Sequence, residues 1–312
     1  MILPSWSRRI AVLIALSFFN IFFIFFHISK SIPFVVLALI FSVLGMYFGS
    51  SEFVTQSESM GERFKLSGKS TGLIIVAIGS IADEIFVSTI AAYRGYGSLS
   101  LGNIMGSNIV TMIIFIPLMI ILPLSRSRLF IRDASFLAIA IIVVIMFSLF
   151  YPSFPRFLSI PLLVVFCFYI YMAFERKVND DGYEGKPSFI MIIASLLTIF
   201  FSSYSMVNYS LLISNTYKLT FFESGFFVTG IGGSLPEIFM GSISLLRRKK
   251  EMALGVLFGS SIIKMSLVLG IVTSFGDVIV TGGVWSEYIF LAIVAVSMYI
   301  LWTKGFTSRN QT

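Results

Sequence analysis

Apolar runs of about 20 residues recur along the whole chain, the length a helix needs to cross a bilayer. Ten spans are predicted: Ile10–His27, Phe34–Thr55, Thr71–Tyr93, Ser98–Leu124, Ala134–Phe150, Phe157–Phe174, Phe189–Ile213, Phe221–Leu246, Met252–Ser274 and Ser286–Trp302. The polar links between them are short. The longest, Glu175 to Lys186, stands at the midpoint of the chain and reads as the joint between two halves. The expected organisation is an extra N-terminal transmembrane helix in residues 1–33, a first half in 34–177, a cytoplasmic linker in 178–187 and a second half in 188–312.

Composition agrees with an integral membrane protein. Hydrophobic residues make up 57% of the chain, charged residues only 12%, and mean hydropathy is +0.97, whereas a soluble domain carries about 25% charged residues. The basic residues are distributed unevenly. Links on the side of the N-terminus hold 17 of them, including Arg8, Arg9, Arg63, Arg132, Lys186 and the run Arg247 to Lys250; the other side holds only Lys30, Arg94, Arg156 and Lys218. Both termini are therefore expected in the cytoplasm, with the protein in the plasma membrane. The net charge of +7 is split among short loops, so it reads as a topology signal and not as a nucleic-acid surface. The first span follows Arg8 and Arg9 like the apolar core of a signal peptide, but it is near full spanning length and no small-residue cleavage site follows it.

The polar residues inside the apolar runs repeat. Gly79-Ser80-Ile81-Ala82-Asp83-Glu84 is followed by Gly102-Asn103-Ile104-Met105-Gly106-Ser107, and Gly232-Gly233-Ser234-Leu235-Pro236-Glu237 by Gly255-Val256-Leu257-Phe258-Gly259-Ser260. Glu84 precedes Ser107 by 23 positions and Glu237 precedes Ser260 by 23. A charge at membrane depth costs about 3 kcal/mol or more and is kept where it pairs or lines a polar path. The two motif helices are the third and eighth spans and so cross in opposite directions. The expected fold is all-α, ten transmembrane helices in two inverted repeats with a midplane ion site. Pro236 has no N–H to donate, which frees a carbonyl one turn earlier. Carboxylates, hydroxyls and freed carbonyls are hard oxygen ligands, suited to calcium or sodium. The candidate ligands are Glu84, Glu237, Ser80, Ser107, Ser260 and the backbone at Gly233. Small residues in such helices also mark close packing alone. Two buried glutamates at equal spacing in an inverted frame go beyond that.

Gly232 to Glu237, with its weaker twin Gly79 to Glu84, resembles the Gly-Thr-Ser-Leu-Pro-Glu signature of the sodium/calcium exchanger family, within the cation/calcium antiporter superfamily. Gly102 to Ile109 is similar to that family's second repeat motif, and Gly49 to Val54 looks like the stretch before the first. The resemblance implies a ten-helix exchanger fold with the two glutamates as calcium ligands shared by sodium sites. The departures are specific. Ser80 stands for threonine, Ile81 for serine, Asp83 for proline and Gly233 for the second threonine. Thr111 stands where a polar ligand such as asparagine is expected, and Lys264 where the family usually has aspartate or another ligand. The family has five spans in each half; here the second half shows four, and the extra first span runs in the direction of the missing one. The first span is expected to fill that place beside the last helices.

Lys264 bears on mechanism. It lies one helical turn beyond Ser260 in an apolar run. An ammonium about 5 Å from a divalent cation costs about 6 to 7 kcal/mol at an effective dielectric near 20, a factor of about ten thousand or more in affinity. Either Lys264 loses its proton when the cation arrives, or it swings away, or calcium is not the substrate. Buried lysines change protonation readily, so proton-for-cation exchange is open. Lys264 is expected to approach Glu84, Asp83 or Glu237, with Lys264, Asp83 and Thr111 as coupling or modulating groups. A fixed ion pair that only compensates charge is the plainer alternative.

Enzyme chemistry is not expected. The lone Cys167 excludes a disulfide within the chain and a cysteine metal cluster, and the lone His27 at a helix end reads as structural. Serine proteolysis lacks a histidine partner, an aspartyl mechanism lacks a second buried aspartate, and there is no phosphate loop or cofactor box. The expected partners are the lipid bilayer and inorganic cations, with no cofactor and no nucleic acid. The expected function is a secondary active antiporter exchanging calcium or a similar cation against sodium or protons. The rival is an exchanger-like scaffold or sensor whose ion site Lys264 blocks.

Overall fold

The computed structural model describes residues 6–25, 31–63, 81–121, 128–174, 188–246, 258–276, 278–279 and 285–307. Ser80, His27, Gly79 and Gly255 lie outside them, as do the first part of the third predicted span and residues 252–257 of the ninth. The helices are α1 (Trp6–Phe25), α2 (Ile32–Arg63), α3 (Ala82–Tyr93), α4 (Gly97–Ile121), α5 (Arg128–Phe150), α6 (Ser159–Phe174) and α7 (Phe189–Tyr217). A four-residue α8 (Phe221–Ser224) runs through a π-helical stretch, Gly225–Gly230, into α9 (Ile231–Leu246). Residues 258–263 are helical and continue through a second π-helical stretch, Lys264–Val268, into α10 (Leu269–Phe275); α11 is Trp285–Thr307. Among the described residues six helical segments are long and apolar enough to cross a membrane: Ser7–Phe25, Ile32–Gln56, Gly97–Ile114, Arg132–Phe150, Phe189–Tyr217 and Phe258–Phe275; Arg156–Met172 is apolar but shorter. Long helices are what apolar segments of this kind must form, because hydrocarbon offers no partner for backbone polar groups.

Gly97–Ile114 and Phe258–Phe275 are each 78% buried, against 22% for Ser7–Phe25, so they form the centre of the bundle. The main core joins Leu101 and Met105 of α4, Leu137 and Ile141 of α5, Leu162 of α6, Met265 of the second π-helical stretch and Phe290 of α11. Phe18, Phe25, Phe150 and Ile160 face outward and are exposed, the surface that a lipid environment covers.

Glycine brings α4 and the α8–α9 segment into backbone contact. A Cβ on Gly102 would run into the Phe222 carbonyl, one on Gly106 into the Phe226 carbonyl, and one on Gly225 into the Leu99 carbonyl; one on Gly230 would stand 3.0 Å from the Ser107 nitrogen. Only glycine permits so close an approach. Two short strands, β1 (Ser153–Phe154) and β2 (Val278–Ile279), pair antiparallel, Ser153 opposite Ile279 and Phe154 opposite Val278. Ser98 Oγ donates to the Ile279 carbonyl at 2.5 Å, tying the start of α4 to the same clasp.

The first helix does not lie beside the last ones. α1 packs on α2 and α7, and its polar groups explain why. Asn20, fully buried, donates to the Leu16 carbonyl at 2.9 Å, the Phe41 carbonyl at 3.1 Å and Ser202 Oγ at 3.1 Å, and accepts from Ser42 Oγ at 3.1 Å. Ser17 bonds Thr198 at 2.9 Å, and Tyr209 donates to the Phe23 carbonyl at 3.0 Å. These bonds need partners on α2 and α7, so the expectation that α1 fills the vacant place in the second half is corrected. At the far end of the same three helices, Arg9 pairs with Glu52 at 3.0 Å, Gln56 donates to Glu52 at 2.7 Å, and the Ser188 nitrogen donates to Gln56 at 2.8 Å.

Candidate functional site

The two motif glutamates meet across the bundle, joined by a lysine. Lys264 Nζ donates to Glu237 Oε2 at 2.7 Å and stands 3.7 Å from Glu84 Oε1. Lys264 and Glu237 are 0% exposed, and Asp83 and Glu84 each 1%. Glu84 comes from the first turn of α3, Glu237 from α9 and Lys264 from the first residue of the second π-helical stretch. Such stretches occur mostly as single-turn insertions within α-helices, and frequently at functional sites. Taking a lysine and a carboxylate out of water costs several kcal/mol per ion, which their attraction offsets only with good geometry and further hydrogen bonds.

Those further contacts are incomplete. Thr111 Oγ1 donates to Glu237 Oε2 at 3.4 Å, and Ser260 interacts with the Glu237 carboxyl. Glu84 and Asp83 interact with each other, and beyond that neither carboxyl has a well-formed hydrogen bond from another described residue. Two carboxylates thus face one ammonium, with Asp83 interacting with the same group, and full ionisation of the three carboxyls leaves two negative charges to be matched. Among the described residues no three carboxylate, histidine or cysteine side chains converge closely enough to hold a metal ion. The ammonium stands between the glutamates.

The remaining predicted positions fall around this triad. Gly233 lies against Glu84: a Cβ there would be 3.6 Å from Glu84 Cγ and 3.8 Å from Oε1. These are ordinary contact distances, so α9 presents backbone to the carboxylate at a position with room for a small side chain. Ser107 is fully buried, and its hydroxyl donates within its own helix to the Ile104 carbonyl at 3.3 Å. Ser80 is outside the described residues. Asp83 interacts with Glu84, Glu237 and Lys264. The glycines divide by role: Gly102 and Gly106 serve helix contact, whereas Gly233 faces the charged cluster.

Asn108, next to Ser107, was not singled out. It is fully buried, and neither its amide nitrogen nor its oxygen has a hydrogen-bond partner among the described residues. Its place in the Gly106-Ser107-Asn108 triplet was the available signal. The π-helical stretches carried none, since one inserted residue leaves an apolar run apolar.

The chain is similar to known proteins. The model of the family described as sodium/calcium exchanger protein matches residues 34–175 and 187–311. A relative named "Putative antiporter CaxA", from Alkalimonas amylolytica, is 28% identical over 257 residues, spanning 76% of this chain and 81% of the relative. The solved H+/Ca2+ exchanger CAX superposes with a TM-score of 0.73 at 13% identity, over 97% of this chain and 87% of that one. The sodium-calcium exchanger NCX_Mj, soaked with sodium and strontium, superposes with a TM-score of 0.59 at 21% identity, over 86% of this chain and 91% of the other. At these identities the superpositions establish the fold.

Proposed function

The chain belongs to the sodium/calcium exchanger family, and we propose that it exchanges calcium, or a cation of similar charge and size, against sodium or protons by alternating access. The architecture proposed is ten transmembrane helices with two inverted repeats, both termini cytoplasmic, in the plasma membrane. The observation that carries the reading is the Lys264 bridge between Glu84 and Glu237. A lysine from one half occupies the space between two carboxylates, one from each half, at the centre of an apolar bundle. A cation that enters must take over both carboxylates and displace the ammonium, because the two cannot share the site.

The ligands proposed are Glu84, Glu237, Ser80, Ser107, Ser260 and the Gly233 backbone, with Lys264, Asp83 and Thr111 modulating. Lys264 then acts as an internal occupant. When the cation leaves, the ammonium returns and keeps the carboxylates paired while the site changes the side it faces. Support for the class comes from the family match and from the transporter folds that superpose on the chain.

The test is calcium flux in liposomes containing the purified protein. Uptake driven by a sodium gradient alone identifies sodium as counter-ion, and uptake driven by a proton gradient alone identifies protons. No flux of calcium, sodium or protons under either gradient, with the protein folded, contradicts the antiporter reading and leaves a scaffold closed by Lys264.

A further inference from the structure

An apolar layer separates the charged cluster from the outer ends of the helices in the proposed orientation. Met46 of α2, Val87 and Ala91 of α3 and Met206 and Val207 of α7 pack together in it. α3 and α7 run parallel, with Phe86 against Phe200 and Arg94 bonded to Asn208. Glu84 therefore stands at one border of the layer and Arg94 at the other, about 15 Å apart along α3. Hydrocarbon is as apolar as these side chains, so their contact alone supplies little net drive to keep the helices together. A polar contact at the border then decides whether the layer stays closed. Among the described residues, the one side-chain hydrogen bond between the end of α3 and α7 is that of Arg94 with Asn208.

The local backbone holds Arg94 in place. A Schellman turn closes α3: the Tyr96 nitrogen donates to the Ala91 carbonyl and the Gly95 nitrogen to the Ala92 carbonyl, each at 2.9 Å, with Gly95 at φ 83°. That left-handed position suits glycine. The turn brings Tyr96 back beside Arg94. The guanidinium carbon lies 5.8 Å from the Tyr96 ring centre and 5.2 Å from that of Tyr204 on α7, and Nη1 donates to Asn208 Oδ1 at 2.5 Å. Tyr96 in turn packs edge-on against Phe221 of α8 at 5.0 Å. Arg94 is half-buried, and among the described residues no carboxylate pairs with it. It is one of the few basic residues on its side of the chain, where a positive charge opposes the topology signal. The contacts with Asn208, Tyr96 and Tyr204 supply the reason for a cation there.

We propose that Arg94 is the outer latch of the exchanger: its hydrogen bond to Asn208 and its stacking on Tyr204 hold the end of α3 against α7 and keep the apolar layer closed above Glu84. Arg94 touches neither the glutamates nor Lys264, so it is a positioning residue. Breaking the latch raises the population open to the exterior, and strengthening it lowers that population. The latch rests on the antiporter reading for its role, since it sets how often the site opens to one side.

Cysteine labelling on intact cells tests the latch without transport. The full-length chain carries Cys167→Ala, which removes the exposed native thiol, together with Val87→Cys in the apolar layer. The reagent is a membrane-impermeant methanethiosulfonate. Val144→Cys, at a buried position of the main core, replaces Val87→Cys as the control for unfolding. Arg94→Ala is expected to speed labelling of Val87→Cys about tenfold or more and to leave Val144→Cys unlabelled. Asn208→Asp, which turns the hydrogen bond into an ion pair, is expected to slow labelling of Val87→Cys about threefold. Equal rates at Val87→Cys with and without Arg94→Ala overturn the proposal. So does an equal rise at Val144→Cys, or faster labelling in Asn208→Asp. Should Arg94→Ala fail to reach the membrane, Asn208→Leu breaks the same bond and is read in the same way. Faster labelling in a chain that moves no cation keeps the latch and removes the antiporter reading; equal labelling in a chain that exchanges calcium does the reverse.

Discussion

Lys264 donates to Glu237 Oε2 at 2.7 Å while Glu84 Oε1 stands 3.7 Å from the same ammonium. A single side chain thus compensates one carboxylate from each half of the chain. Removing it leaves both glutamates buried without a cation, and losing one partner of a buried pair costs about 3 to 5 kcal/mol. Lys264→Met is expected to unfold at clearly lower temperature than wild type in calcium-free detergent, and calcium is expected to recover most of the loss. An unchanged unfolding temperature without calcium would show that the pair contributes nothing to the fold.

Glu237→Gln keeps the shape of the side chain and removes its charge. The variant is expected to remain folded and to lose calcium flux by about a hundredfold or more, given the size of the charge interaction at short range. Glu84→Gln should behave the same way if both carboxylates hold the cation. Liposome flux, with size exclusion as the folding control, checks both. Full activity in either variant removes that residue from the site.

Gly102 sits where a Cβ would collide with the Phe222 carbonyl, and backbone has little room to yield. Gly102→Ala is expected to destabilise the protein by about 3 kcal/mol and to push α9, with Glu237, away from Thr111. Thermal unfolding measures the first effect. Wild-type stability in Gly102→Ala would mean that the close contact between α4 and Gly225–Gly230 is not required.

The clustering of Glu84, Glu237 and Lys264 was legible because a charge in an apolar run is rare and the repeat spacing placed two of them at matching positions. Gly233 was legible as a departure from the signature, although only the structure shows that it faces Glu84. The extra helix was legible as a span but not in position. Asn20 looks like any isolated polar residue in the sequence; its partners, Ser42 and Ser202, are 22 and 182 residues away. The π-helical stretches and the β1–β2 clasp were invisible because a one-residue insertion and a two-residue strand leave no periodic trace.

Asn20 clamps α1 to α2 and α7 through three hydrogen bonds. Asn20→Leu preserves bulk and removes all of them. The expected loss is about 1 to 2 kcal/mol, read as a lower unfolding temperature with easier proteolysis between α1 and α2. If α1 is merely a lipid-facing anchor, Asn20→Leu will match wild type in both.

The most direct test of the central claim is a calcium titration of wild type beside Lys264→Asp at constant pH. If the ammonium and the transported cation compete for Glu84 and Glu237, replacing the ammonium with a carboxylate is expected to tighten calcium binding by at least about a hundredfold. Calcium affinity that is equal in the two proteins would contradict the account, because Lys264 would then have no part in filling or emptying the site.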